Sequence, residues 1–194
     1  MNTRTKQDIN PGKSHNELVS RLPGSFFTRD VLEVAPQLLG KFLVRRSPGG
    51  TISKYRISET EAYRGINDKA CHAHKGKTPR TKVMYQEGGI LYMYLIYGMY
   101  WMLNVVTEKE NVPQAVLIRR LTGVNGPGRL TKLLHLDKSF NGEDLQTSER
   151  IWIEDSQELL EYTTHPRVGI DYAGAYWKNK PWRFIMSSLH PDLG

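Results

Sequence analysis

The sequence predicts an α+β fold: one domain built on a curved, mostly antiparallel β-sheet with a few surrounding helices. Three observations carry this. Segments rich in β-branched and aromatic residues alternate with period two and are separated by short turn-forming clusters. Only the stretches Arg29–Leu39 and Arg129–Leu136 combine helical spacing with cap signals. The 194 residues, 39% hydrophobic and 24% charged, are enough to bury one core and too apolar for a disordered chain.

In chain order, residues 1–20 carry scattered charge and no hydrophobic period, and read as a flexible tail before a domain at 21–194. Thr28 is placed to cap a helix over Arg29–Leu39, with Gly40 ending it and Pro36 as an internal cost. Lys41–Arg45 reads as a strand, and Ser47-Pro48-Gly49-Gly50 as a turn. Arg56–Tyr63 is a second strand, whose alternation puts Ile57, Glu59, Glu61 and Tyr63 on one face. A basic loop, Arg64–Glu87, leads to a hairpin. Its first strand is Gly89–Tyr97, with Leu91, Met93 and Leu95 on one face and Tyr92, Tyr94 and Ile96 on the other. Gly98 reverses the chain into Tyr100–Thr107. Gln114–Leu121 is a further strand, and Gly126-Pro127-Gly128 leads into the second helix. Ile151–Ile153 and Trp182–Ser187 are the remaining strands, with a loop from Arg167 to Ile170 between them.

No apolar run reaches the roughly 20 residues of a membrane helix, and the first 20 residues lack the apolar core of a secretory signal. A single cysteine, Cys71, excludes an internal disulfide framework and a cysteine-cluster zinc site. Charge narrows the partner further. The chain has 27 Lys and Arg against 20 Asp and Glu, a net charge of +7. Residues 1–97 hold 16 basic and 8 acidic side chains, whereas 98–194 hold 11 and 12. Lys69, Lys75, Lys77, Arg80 and Lys82 fall in one stretch without an acid. Such a stretch either holds a polyanion or is a merely soluble surface.

Candidate chemistry sits on the strands. Glu59 and Glu61 share a strand face, where two carboxylates are costly unless paired or solvated. Arg119 ends the apolar run Ala115–Ile118 and either meets a buried carboxylate or phosphate or stays at the surface. Tyr92, Tyr94, Tyr97, Met99, Tyr100 and Trp101 crowd one hairpin. Core packing explains some of them, but Tyr97 and Met99 flank the reversal and would be exposed. A protein that opens DNA needs such a rigid wedge to fill the gap left by an extruded base. The basic loop beside it, with Lys75, Lys77, Arg80 and Lys82, would hold phosphates, and the Gly126 and Gly128 amides could add to that. His72 and His74 have no third ligand at convincing spacing, so no metal is expected.

The runs Glu59-Thr60-Glu61-Ala62-Tyr63, Asp68-Lys69-Ala70-Cys71-His72 and Thr78-Pro79-Arg80 resemble the alkyladenine (3-methyladenine) DNA glycosylase family. The resemblance continues through Leu91–Tyr100, Asn104, Ala115–Arg119, Asn125–Gly128, Arg167–Ile170 and Pro181–Phe184, so it spans most of the chain. It implies a monofunctional base-excision repair hydrolase acting on double-stranded DNA, which flips an alkylated or deaminated purine and hydrolyses its N-glycosidic bond. Candidate bases are 3-methyladenine, 7-methylguanine, hypoxanthine and ethenoadenine. By matched position, Glu61 is the general base, and Arg119 and the Val168 backbone help hold the attacking water. Tyr63, His72 and Tyr94 sandwich the flipped base, Asn104 excludes guanine, and Tyr97 is the wedge with Met99 and Tyr100 beside it. Arg119 is expected to lower the Glu61 pKa and keep it ionised. No lysine matches a Schiff-base nucleophile, so the expected product is an abasic site without strand cleavage. The resemblance also implies a monomer with no cofactor, no metal and no membrane partner. It would lie in the cytoplasm of a bacterium, at the nucleoid through its DNA, or in a eukaryotic nucleus. The segment between Arg119 and Gly126 is shorter than the family pattern, so the helix usually introduced there is expected to be missing. Two rival readings use the same residues: a glycoside hydrolase with Glu59 and Glu61 as its paired carboxylates, and a non-catalytic nucleic-acid-binding module.

Overall fold

A computed structural model describes residues 21–156, 158 and 160–187; the tail assigned to residues 1–20 lies outside them. The elements are α1 (Gly24–Phe27), α2 (Val31–Gln37), β1 (Phe42–Arg46), β2 (Ile52–Tyr63), β3 (Leu91–Ile96), β4 (Tyr100–Thr107), β5 (Gln114–Leu121), β6 (Val124–Asn125), α3 (Pro127–Leu133), β7 (Ile151–Glu154), β8 (Tyr162–His165), α4 (Ala175–Lys178) and β9 (Arg183–Met186). Among the described residues the strands form one antiparallel sheet, ordered β3-β4-β5-β2-β1-β7, with β6 on β5 and β9 bridging β2 and β8. Strand-rich, curved and with few helices, it matches the α+β expectation.

β2 is the spine. Its first half pairs with β1; its second half lies between β5 and β9. It begins at Ile52, four residues before the expected start, because backbone pairing with β1 continues where the side chains turn polar and exposed. Its alternation also breaks. Ile57 packs in the main core with Ala62, and the Thr60 hydroxyl donates to the Ala35 carbonyl on α2. The register slips on both sides of Glu59, first by an extra residue on β2 and then by an extra residue on β5, at Arg119. Such bulges re-aim side chains. Ile57 therefore does not share a face with Glu59, Glu61 and Tyr63, contrary to the strict period-two reading.

Helix α2 is shorter than expected. Asp30, not Thr28, caps it by accepting from the Leu32 amide at 2.9 Å. Asp30 wins because its second oxygen also takes Arg64 Nε at 2.9 Å and Gln114 Nε2 at 3.3 Å. Pro36 lies in the last turn, and the helix stops at Gln37. Helix α3 starts at Pro127 in the first turn, where a missing N–H costs nothing, and ends before His135 at φ 51°. Strand β8 went unread because its side chains are exposed and carry no apolar alternation.

The sheet has two different faces. Leu91, Met93, Leu103, Val105, Val116 and Ile118 point into the main core, with Val31, Val34 and Ala35 of α2 and Leu130 of α3. Tyr92, Val106 and Ala115 face the other way, onto a small second cluster with Cys71, Ala73, Val83 and Met84. The expected split of β3 into two faces holds for residues 91–94. Leu95 has run past the core and is partly exposed.

Candidate functional site

On the second face of the sheet lies a cavity of about 400 Å³. Its walls include Tyr63 of β2, Tyr92, Tyr94 and Ile96 of β3, Asn104 of β4 and Leu117 and Arg119 of β5. The loop carrying Cys71 and His72 and the loop carrying Val168, Gly169 and Tyr172 complete it. That volume lies within the usual range for a small-molecule site.

Glu61 lies beneath this cavity with no solvent exposure. Its Oε1 accepts from the Val168 amide at 2.8 Å and lies 3.3 Å from Arg119 Nη1. Its Oε2 accepts from the Tyr63 hydroxyl at 2.8 Å. Burial pushes the Glu61 pKa up from its ordinary value, against the opposing pull of Arg119, the Val168 amide and Tyr63. Arg119 pulls the value down as expected, and Arg167 adds to that pull, but with nothing exposed desolvation outweighs both and the net shift is upward. The same burial, with Glu61 nearby, holds the Tyr63 phenol well above its ordinary range, so it stays a proton donor.

Glu59, two residues earlier, is the hub of a cation cluster. Arg119 Nε and Arg183 Nη1 donate to its Oε1 at 3.1 and 3.0 Å, and Arg120 Nη2 lies 3.0 Å from its Oε2. The Arg119 question thus resolves to buried carboxylates, both of them; neither carboxylate lines the cavity itself, but the Glu61 partners Tyr63, Arg119 and Val168 all do.

The aromatic wall is tied together. His72 Nδ1 shares a 2.9 Å hydrogen bond with the Tyr92 hydroxyl, and its ring meets Tyr94 edge-on at 4.5 Å between centroids. Burial, helped by Arg80, depresses the His72 pKa to about 4, so the imidazole is neutral near pH 7. The Asn104 side-chain amide donates to the Tyr92 and Met102 carbonyls at 3.2 and 3.3 Å, which pins it against the cavity. Cys71 is buried with its thiol pushed up to about 11, an inert wall group.

The hairpin tip stands at the mouth. Tyr97 lines the cavity yet is 85% exposed, with Met99 at 65% and Tyr100 at 45%. Tyr97 and Gly98 have φ of 51° and 69°, and the Met99 amide donates to the Ile96 carbonyl at 3.1 Å. Positive φ at both central residues is what a tight type I′ turn requires. Tyrosine is a costly choice there, because only Gly, Asn and Asp adopt it readily. Gly128 supports the tip: a Cβ on it would come 2.8 Å from Tyr100 Cδ1, so the ring lies directly on α3. Gly126, at φ 97°, turns the chain into that helix.

In the basic loop, Lys75, Lys77 and Lys82 are exposed, with Lys77 Nζ 5.3 Å above the Tyr85 ring. Arg80 is exposed with them, and its guanidinium also lies over the Tyr94 ring at 5.4 Å, where its charge acts on His72. Among the described residues no group of three metal-ligating side chains exists. Sequence reasoning gave no role to the buried pair Asp68 and Arg167 or to Tyr172, whose hydroxyl donates to the Ala70 carbonyl across the rim at 3.0 Å. Asp68 and Arg167 did stand in the quoted motifs, and an acid next to a cation-rich loop was the available signal.

Fold and site together place an aromatic-walled cavity above a buried carboxylate–arginine pair. The comparisons with known proteins agree on the class. The methylpurine-DNA glycosylase family model matches residues 25–124 and 120–189, two segments that meet at the short β5–β6 connection. A relative from Desulfitobacterium hafniense (strain Y51), provisionally named a 3-methyladenine DNA glycosylase, is 45% identical over 196 aligned positions, 87% of this chain and 96% of the relative. Relatives with the same provisional name from Methanocella arvoryzae and Legionella pneumophila (strain Corby) are each 44% identical. They cover 84% and 86% of this chain, and 90% and 94% of their own lengths. The chain belongs to the methylpurine-DNA glycosylase family, hydrolases of DNA repair.

Proposed function

We propose that this chain is a monofunctional N-glycosylase that extrudes a damaged purine from double-stranded DNA and hydrolyses its glycosidic bond with water activated by Glu61. The observation that carries this reading is a single unexposed carboxylate, gripped by Arg119, Tyr63 and the Val168 amide, beneath an aromatic-walled cavity. Bond cleavage builds positive charge on the sugar. A carboxylate fixed in a dry site stabilises that charge and accepts a proton from water. Burial makes Glu61 more basic than a free glutamate, which suits a general base.

The walls suit the substrate. Tyr63, His72 and Tyr94 present π-faces and edges that attract electron-poor, alkylated purines. A neutral His72 avoids repelling a cationic base. Asn104, pinned by its two carbonyl bonds, excludes guanine by occupying the space its 2-amino group needs. Tyr97, flanked by Met99 and Tyr100, is the wedge entering the duplex. Lys75, Lys77, Arg80, Lys82 and the Gly126 and Gly128 turn lie beside the DNA backbone. Among the described residues no lysine lines the cavity, in keeping with water as the nucleophile. The glycoside-hydrolase reading loses its second carboxylate, because Glu59 is already engaged by three arginines.

The test incubates the protein with methylated duplex DNA and with a hypoxanthine-containing duplex, alongside Glu61→Gln. Freed bases are quantified, and the strands are then treated with alkali. Base release and alkali-labile sites with the wild type alone are expected. Binding without release from either duplex would replace the enzyme reading with that of a binding protein.

A further inference from the structure

Asp68 and Arg167 form an ion pair in which neither side chain is exposed, and the reaction above assigns it no part. Arg167 Nη1 and Nη2 lie 2.5 and 2.9 Å from the two Asp68 oxygens, a forked contact with fixed geometry. Nη1 also donates to the Ala62 carbonyl on β2 at 2.9 Å. The guanidinium lies 4.9 Å from the Tyr63 ring centroid and 5.0 Å from that of Trp182. Asp68 in turn accepts from the Arg64 and Ala70 amides at 3.1 and 3.0 Å.

A buried ion pair is a poor source of net stability, since desolvation of both charges offsets their attraction. Its position says more. Glu61 has two uncharged donors, and both border this arginine. One is the amide of Val168, the next residue in the chain; the other is the hydroxyl of Tyr63, whose ring packs on the guanidinium. The Ala62 carbonyl ties the arginine to the residue between Glu61 and Tyr63. A shift of the side chain would move both donors together.

We propose that Arg167, locked by Asp68, is a positioning residue that holds the Val168 amide and the Tyr63 hydroxyl on the Glu61 carboxylate. The inference rests on Glu61 as general base. If the pair only ties two loops together, its loss lowers stability and the fraction of active protein. If it positions the donors, its loss weakens the support of ionised Glu61 and moves the pH dependence of the chemical step.

The experiment uses the full chain carrying Arg167→Lys, which keeps the charge and loses the fork, and Asp68→Glu, which keeps the opposing charge and misplaces the fork, so that the Coulomb pull of Arg167 on Glu61 stays in both. Single-turnover release from methylated duplex DNA is followed from pH 5 to 9, with thermal unfolding and damaged-duplex binding measured beside it. The expected result is release slowed by about 10- to 100-fold, as small misplacements of a reacting group cost. Binding stays within about twofold of wild type, and the acid limb moves to higher pH. A slower rate with an unmoved acid limb, or binding lost in proportion to rate, overturns the proposal. If Arg167→Lys does not fold, Asp68→Glu decides by the same readings. Glu61→Gln separates the two layers. Release that survives it sinks the general-base reading and this inference together. Release that falls with Glu61→Gln, but keeps its wild-type rate and profile in Arg167→Lys, sinks the inference alone.

Discussion

Glu59 and Glu61 stand two residues apart on β2, and both touch Arg119, yet their surroundings have little else in common. Glu59 meets three guanidiniums that are themselves partly exposed, so its charge is balanced and the cluster reaches water. Glu61 meets one guanidinium, one hydroxyl and one amide, with no exposure at all. The first arrangement is a tie between β2, β5 and β9. The second leaves a carboxylate with a single contacting guanidinium, beneath an aromatic-walled cavity. The difference teaches that two carboxylates on one strand can be balanced to different degrees, and under the proposed reaction a cationic sugar over Glu61 would complete the balance that the protein leaves unfinished.

The largest effect breaks this comparison directly. Glu61→Gln is expected to slow base release by about 1,000-fold, the scale of a general base. Its melting temperature should rise at neutral pH, because a buried charge becomes a neutral amide. Glu59→Gln should act the other way round. It leaves Arg120 and Arg183 without their anion and Arg119 with Glu61 alone, and is expected to destabilise by about 2 kcal/mol, with a smaller loss of rate. Calorimetry and single-turnover kinetics on the two variants check the crossing. A Glu59→Gln enzyme that is as stable as wild type and inactive would reverse the assignment.

The pH dependence sharpens the same contrast. The folded-state pKa of Glu61 lies above its ordinary 4.5. A raised carboxylate pKa contributes stability that is fully present below the unfolded value and lost as pH rises through the folded one. Activity runs in the opposite sense, because the base works only when ionised. The acid limb of the rate profile should therefore lie above pH 4.5, just where this contribution to stability is being lost. Rate and unfolding profiles measured on one preparation test the coincidence.

A smaller effect separates the carboxylate floor from the aromatic wall. His72 is held near 4 by burial first and Arg80 second. Its depressed pKa means that stability is complete above its ordinary 6.5 and falls as the pH drops toward 4. Arg80→Gln removes one of the two causes and should raise the His72 pKa, read from its imidazole NMR signals. Release of cationic 3-methyladenine should slow more at pH 6 than at pH 8, as a protonated ring would repel it. An unmoved His72 signal would leave Arg80 with a role in the exposed basic loop alone.

How much of this was legible in the sequence follows from the range of the forces. The hairpin was readable because alternation and a reversal at Gly98 are local signals. The two faces of β3 were readable for the same reason. The bulge at Glu59 and Arg119 was not, because it is set by pairing between strands 60 residues apart in the chain. Strict alternation therefore put Ile57 on the wrong face. Asp30 displaced Thr28 as a helix cap through Arg64 and Gln114, contacts that local sequence does not reveal. Arg119 was legible as an arginine in need of a carboxylate, but the sign of the Glu61 shift was not. That sign depends on the last bit of solvent exposure, which only the folded chain fixes.

The smallest expected effect concerns the hairpin tip, where exposure replaces burial as the source of strain. Tyr97 holds φ 51° with its ring in water, so it spends conformational energy and gains no core contact. Asn is at ease at positive φ, and Tyr97→Asn should raise stability by about 1 kcal/mol. If Tyr97 fills the gap left by an extruded base, the same change should weaken binding to damaged duplex more than to undamaged duplex. Glu61→Gln predicts the mirror image, with damaged-site binding kept and chemistry lost. Both variants gain stability and lose function, but at different steps. Equal weakening on both duplexes would make Tyr97 a general DNA contact and leave the extruded base without its wedge.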